Sequence, residues 1–294
     1  MPLIRNLKNT DFDTLFAGFE RAFADYEISF NKDEVRAMLK RRGFDDHLSF
    51  AAFVDNEIVS FTFNGIGQFN GLKTAYDTGT GTAQDYRGRH LAGQIFSTAL
   101  PFLKEDGVEQ YLLEVLQNNL SAIKVYRDMG FEVTRELNCY RRKISQITNL
   151  TRRETTSTDL KTKNSLPIEI KPITVESVRE LCHFNDFQPS WQNSIESIER
   201  GREGLHCLGA FINREPSGYC VYDPMTGDIA QLAVKPEYRR QGVGTALLSC
   251  AIEGLETDAV KILNVDAADV TLPAFLQSKN IPLSTKQFEM ILPL

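Results

Sequence analysis

The sequence has little of what marks a metal centre, a disulfide framework or a membrane span. Its five cysteines, Cys139, Cys182, Cys207, Cys220 and Cys250, are odd in number and scattered, with no CxxC pair. That argues against a disulfide-stapled or zinc-bound fold. His47, His90, His183 and His206 are equally dispersed, so no metal is expected. No apolar run approaches the ~18 residues of a spanning helix. The opening stretch, Met1 to Thr10, lacks a signal-peptide apolar core. These absences point to an intracellular, cytoplasmic protein with no membrane partner. Nor is there an excess of basic residues. The net charge is −6, which argues against a broad nucleic-acid surface.

What is present is ordinary globular composition, 42% hydrophobic and 24% charged over 294 residues, a length that suggests two domains. The stretch from Ile144 to Ser165 is rich in Thr, Ser, Asn and charge. It reads as a linker, because such a composition buries little surface. The expected organisation is therefore a domain at 1–143, a linker at 144–165 and a second domain at 166–294.

The two sides repeat one order of parts. Each opens with a strand (Leu3 to Leu7; Ile168 to Ile173) and continues into a helical pattern. Phe12, Leu15, Phe16, Phe19 and Phe23 recur at helical spacing in the first half. A hairpin follows around Asp55-Asn56-Glu57 or Asn213-Arg214-Glu215. A further strand, Ala75 to Ala83 or Asp228 to Val234, runs into an Arg- and Gly-containing loop and then an amphipathic helix. The loops read Tyr86-Arg87-Gly88-Arg89-His90-Leu91-Ala92 and Tyr238-Arg239-Arg240-Gln241-Gly242-Val243-Gly244. Arg87 and Arg239 are 152 positions apart, and Val115 and Val265, on the next buried-type strands, are 150 apart. A near-constant offset over several elements argues for duplication.

A helix N-terminus presents unpaired N–H groups and partial positive charge to an anion. Small residues let a phosphate approach the backbone, and nearby cations add charge-assisted contacts. Strand, Arg-x-x-Gly-x-Gly, helix is thus a phosphate-binding arrangement. It is complete in the second half and degenerate in the first, where His90 replaces a glycine. A histidine there is compatible with the loop if it keeps helical dihedrals, and it could alternatively add a phosphate donor.

On these residues the chain resembles the GCN5-related N-acetyltransferase (GNAT) superfamily. Arg239, Gly242 and Gly244 match its pyrophosphate motif, and Arg87, His90 and Ala92 match it with one departure. Asn119, Ala122, Tyr126, Gly130 and Phe131 fall on its second motif. In the second half Phe275 stands where the tyrosine belongs. The resemblance implies an α/β fold of two tandem GNAT-type domains. Each would be a mixed, mostly antiparallel twisted sheet flanked by helices, with a splayed central strand pair. It also implies acetyl-CoA as co-substrate, and acetyl transfer by direct attack of a primary amine, of a small molecule or peptide, on the thioester.

The resemblance further implies site residues. Thr80, Thr82, Arg87, Gly88, Arg89, His90, Leu91, Ala92 and Asn119 would hold the cofactor in the first half. Leu232, Val234, Arg239, Arg240, Gln241, Gly242, Val243 and Gly244 would do so in the second. Thr82 and Val234 would offer the backbone N–H that binds the thioester oxygen. Tyr126, protonated at neutral pH with an ordinary pKa of about 10, would protonate the leaving thiolate. Asp77 and Glu114 are alternative bases on the two flanking strands. Phe23, Tyr26 and Phe30, or Phe187 and Trp191, could line an acceptor site. The tyrosine places the expected chemistry in the first half and the two loops place pyrophosphate binding in both, though the sequence alone leaves the active copy open; two other readings stand beside this one. One or both halves could bind acyl-CoA without chemistry, or the second could serve as a platform for the first. Monomer and homodimer are both open.

Overall fold

The computed structural model describes residues 2–25, 30–150 and 167–294. In chain order its strands and helices are β1 (Leu3–Asn6), α1 (Phe12–Phe23), α2 (Lys32–Arg42), β2 (Phe50–Val54), β3 (Glu57–Phe69), β4 (Leu72–Thr82), α3 (Leu91–Glu105), β5 (Gln110–Leu116), α4 (Leu120–Asp128) and β6 (Glu132–Lys143). The second half continues with β7 (Ile168–Pro172), α5 (Val175–Leu181), α6 (Ile195–Arg200), β8 (His206–Ile212), β9 (Glu215–Tyr222), β10 (Ile229–Val234), α7 (Val243–Glu253), β11 (Ala259–Asp266), α8 (Thr271–Ser278) and β12 (Leu283–Pro293).

The chain forms two compact units, and they do not divide it at 143. Unit 1 comprises Met1–Thr134 with Phe288–Leu294; unit 2 is Arg135–Gln287. Most of β6 therefore belongs to unit 2, and the end of β12 belongs to unit 1. The side chains explain this. Leu137, Cys139 and Tyr140 of β6 are buried in unit 2, where β6 pairs antiparallel with β11. Met290 is fully buried in the core of unit 1, with Phe288 and Leu292 packed against it. The expected linker also starts later than 144. Ile144, Ile147 and Leu150 pack on the unit 2 core, and the remainder of that segment, from 151, lies outside the described residues.

Unit 1 is a sheet of order β1-β2-β3-β4-β5-β12, antiparallel through β4 and parallel between β4 and β5. One face carries α3 and α4: Leu91, Ile95, Ala99, Leu103 and Ile123 bury against Ala75, Tyr111, Leu113 and Val115. Each buried leucine or isoleucine among them contributes about 1.5–3 kcal/mol. The opposite face carries α1 and α2, with Leu15, Phe19, Val35 and Leu39 over Phe61 and Phe63. Unit 2 repeats the plan: β10-β9-β8-β7 is antiparallel, α7 covers one face and α5 and α6 the other. No helix among the described residues is long and apolar enough to cross a membrane.

Candidate active site

In unit 1 the parallel pairing of β4 with β5 covers only Thr74–Tyr76 against Gln110–Leu112. Beyond it the two strands part and leave a fork. A bulge in β4 at Thr78, between the pairs Asn64–Asp77 and Phe63–Gly79, re-aims the strand at that point. Further on, the Ala83 N–H donates to the Val59 carbonyl. Peptide groups alternate in direction along an antiparallel strand, so Thr82 and Thr80 turn their N–H groups away from β3 and into the fork. Unit 2 repeats this. Lys235 N–H donates to Ser217, which turns Val234 and Leu232 the same way.

Asp77 and Tyr126 meet on one side of the unit 1 fork, and Glu114 lies on the other. Asp77 Oδ1 accepts from Gly79 N at 2.9 Å and Oδ2 from Thr80 Oγ1 at 2.8 Å. The Tyr126 hydroxyl also hydrogen-bonds this carboxylate. Asp77 retains some exposed surface, but enough protein surrounds it that burial dominates. Its pKa is pushed up to about 6, against the pull of Thr80, Gly79, Arg42 and Tyr126. Glu114 lies on the opposite sheet face, where it accepts from the Tyr76 hydroxyl at 3.1 Å. Burial, with Glu114 next in effect, raises the Tyr76 pKa well above 10.

The loop before α3 has two left-handed positions, Gly88 (φ 75°) and His90 (φ 58°); the loop before α7 has Arg240 (φ 60°) and Gly242 (φ 91°). His90 thus does not hold the helical dihedrals expected of it. It takes the conformation of its counterpart Gly242. Each copy places one glycine and one side-chain-bearing residue at these two positions, in opposite order, and each non-glycine costs about 1–2 kcal/mol. No side chain caps α3 or α7. The other helices all have a side-chain acceptor on their first amides: Asp11, Asn31, Asn119, Thr174 and Ser194 as N-caps, and Asp269 for α8. The amides of Leu91, Ala92 and Gly93, and of Val243, Gly244 and Thr245, precede the first intrahelical bonds and are available to an anion.

The motif arginines do something other than expected. Arg87 donates through Nε to the Thr82 carbonyl at 3.1 Å and grips both Asp25 oxygens at 2.6 and 2.7 Å. Arg239 donates through Nε to the Val234 carbonyl at 3.0 Å and binds Asp186 at 2.9 Å. In both copies a nearby carboxylate captures the guanidinium, which ties the strand end to the segment after the first helix rather than reaching for phosphate. Arg87 in turn holds the Asp25 carboxyl below its ordinary pKa. Arg89 and Gln241 close the turn through the Asp85 and Glu237 carbonyls. Asn119, expected on the cofactor, spends its Oδ1 on the first turn of α4, at 3.2 Å from Ala122 N.

The fork of unit 2 is different. β10 and β11 share only the parallel bridge Asp228–Lys261. Past it, Gln231 Nε2 donates to the Asn193 carbonyl at 2.6 Å and Asn193 Nδ2 donates to the Leu263 carbonyl at 2.9 Å. Asn193 stitches the strands together, and buried Trp191 lies beside it. The pocket that remains is lined by Asn185, Phe187, Leu232, Asn264 and Leu272, among others. Counting by the repeat offset, Ile229 and Asn264 stand at the positions of Asp77 and Glu114, and Phe275, against Gly244, at that of Tyr126.

Of the aromatic residues considered for an acceptor site, Trp191 is core, Phe187 lines the unit 2 pocket, and Phe23 and Phe30 pack on Phe19. Tyr26 lies outside the described residues. Sequence reasoning missed Asp25 and Asp186. Their signal was an Asp-aromatic pair, Asp25-Tyr26 and Asp186-Phe187, ahead of each loop. No metal-binding cluster exists among the described residues.

These features, a forked parallel strand pair beside an uncapped helix and its loop, occurring twice, define a class of protein. A model of the Acetyltransferase (GNAT) family matches residues 15–131 and 173–275, and the chain belongs to that family. It is similar in fold to a tandem GNAT protein from the clavulanic acid biosynthesis pathway (TM-score 0.72, 13% identical, covering 100% of this chain and 98% of that one). It is also similar to a GCN5-related N-acetyltransferase from Sphaerobacter thermophilus (TM-score 0.68, 12% identical, covering 99% and 95%). A mycothiol acetyltransferase of Corynebacterium aurimucosum is 38% identical over 56 residues, which span 19% of this chain and 18% of that protein.

Proposed function

We propose that the chain is an acetyl-CoA-dependent N-acetyltransferase whose chemistry is carried out in unit 1. The observation that carries this reading is the placing of Tyr126, Asp77 and Glu114 around the open β4–β5 fork, beside a helix whose first amides no side chain caps. The pyrophosphate of acetyl-CoA would sit on the amides of His90, Leu91, Ala92 and Gly93, with Gly88 and Arg89 shaping the turn. Its arm would run along the inward N–H groups of Thr80 and Thr82, pairing as an added strand does. The Thr82 N–H is placed to stabilise the oxyanion. A neutral amine attacks the carbonyl carbon, the C–S bond breaks, and Tyr126 protonates the departing sulfur.

Unit 2 keeps the phosphate-binding half of the arrangement and lacks the chemical half. Ile229, Asn264 and Phe275 cannot exchange protons at neutral pH, and Asn193 closes the fork. We read it as a site for the pyrophosphate of acyl-CoA that performs no transfer. The acceptor is a primary amine of a small molecule or peptide, and the compartment is the cytoplasm. The test is release of free CoA from acetyl-CoA across a broad amine panel, with a thermal shift on acetyl-CoA as a binding readout. Neither release nor shift with any amine would refute the proposal.

A further inference from the structure

The two carboxylates at the unit 1 fork were interchangeable as bases in the sequence. They are not interchangeable in the fold, because they face opposite sides of the sheet. Along β5, Tyr111, Leu113 and Val115 point into the α3/α4 core, so Glu114 points to the α1/α2 side, as its bond from Tyr76 requires. Along β3, Phe61 and Phe63 point into the α1/α2 core, so Asn64 points to the α3/α4 side, where the Tyr111 hydroxyl donates to it at 2.5 Å. Asp77 is the register partner of Asn64 and shares that side with Tyr111 and Tyr126.

The α3/α4 side is also where the phosphate loop opens. A cofactor held at that loop enters the fork from there, so the sulfur stays near Tyr126 and the carbonyl is presented to the α1/α2 side. An acceptor must then arrive from the Glu114 side. We propose that Asp77 is the positioning partner of Tyr126 on the thiolate side rather than a base for the acceptor. This rests on the reading of unit 1 as an acetyltransferase.

The proton traffic balances. Glu114 accepts one proton from the ammonium form of the acceptor, the amine nitrogen bonds to the carbonyl carbon, and the electron pair of the C–S bond leaves with sulfur. The Tyr126 proton moves to sulfur. The Tyr126 phenolate oxygen is then reprotonated from water, while the Asp77 carboxylate gives up no proton and holds the Tyr126 hydroxyl in place. The proton taken by Glu114 and the proton remaining on the new amide nitrogen cation both leave to water. The groups that face Asp77 favour a carboxylate that accepts hydrogen bonds. Tyr126 from α4 and Thr80 from β4 donate to it, Tyr111 from β5 lies beside it, and Arg42 from the end of α2 is the one cation that acts on it. Burial raises its titration to about 6, so above that pH it is the carboxylate that accepts from Tyr126.

The test compares Asp77→Asn, Tyr126→Phe, the double variant and Glu114→Gln in steady-state acetylation from pH 5.5 to 9. Far-UV circular dichroism verifies that each is folded. Asp77→Asn should lower kcat at least tenfold with little change in KM for either substrate. Tyr126→Phe should lower kcat about 10²–10⁴-fold, and the double variant no further, as for residues acting as one unit. The Asp77→Asn loss should persist at high pH, whereas the Glu114→Gln loss should shrink as the amine deprotonates unaided. An Asp77→Asn loss recovered at high pH, or multiplying with that of Tyr126→Phe, overturns the assignment while leaving the enzyme an acetyltransferase. A wild-type chain that transfers nothing overturns both.

Discussion

Replacing Asp77 by Asn should stabilise the protein at neutral pH. The pKa of Asp77 rises from 3.8 to about 6 in the fold, chiefly through burial. The folded state therefore holds this proton more tightly than the unfolded chain does. The associated stability is fully present below about pH 4 and is lost as pH climbs through 6. By pH 7.5 the buried carboxylate costs about 3 kcal/mol. An asparagine can still accept from Gly79 N–H and fills the same space without the charge. The variant should therefore gain up to about 3 kcal/mol over wild type at pH 7.5 and almost nothing at pH 4. For a unit of this size the gain is on the order of 10 °C in Tm. Thermal melts of both proteins at intervals from pH 4.5 to 7.5, followed by near-UV circular dichroism, measure the gap. A gap that does not change with pH, or a variant less stable at pH 7.5, would refute the reasoning. It would mean that Thr80, Gly79 and Arg42 compensate the carboxylate fully. The expected gain in stability with loss of activity is the usual mark of a functional buried charge.

Two further outcomes follow from the loops. His90→Gly relieves a left-handed side chain and should add about 1 kcal/mol of stability while tightening CoA binding, read by denaturation and calorimetry; Gly242→His should do the reverse in unit 2. Disrupting the latch with Asp25→Asn should weaken CoA binding about tenfold, as should Arg87→Lys, which loses the bidentate fork. The effect should not grow when the two changes are combined, as a double-mutant cycle reports.

The repeated order of elements and both loops were legible in the sequence, because strand and helix periodicity and glycine placement are local properties. Helix α4 was legible for the same reason: Asn119 through Phe131 is one contiguous stretch. What escaped was non-local. The alternation Phe288, Met290, Leu292 identifies a strand, but nothing in it says that the strand completes unit 1 rather than unit 2. Arg87 looked like a phosphate ligand because its partner Asp25 is 62 residues away. The opposed facing of Asp77 and Glu114 depends on where β4 stops pairing with β5 and on a bulge at Thr78, and neither has a sequence signature. The closure of the unit 2 fork by Asn193 depends likewise on a turn with no pattern of its own.

The most direct measurement is thiol release from acetyl-CoA in the presence of a responsive amine, comparing wild type with Tyr126→Phe and with Phe275→Tyr. The account predicts a loss of about 10²–10⁴-fold for Tyr126→Phe and no gain for Phe275→Tyr, because the unit 2 fork has neither carboxylate and is closed by Asn193. Full activity in Tyr126→Phe, or transfer that persists through unit 2 when unit 1 is disabled, would contradict it.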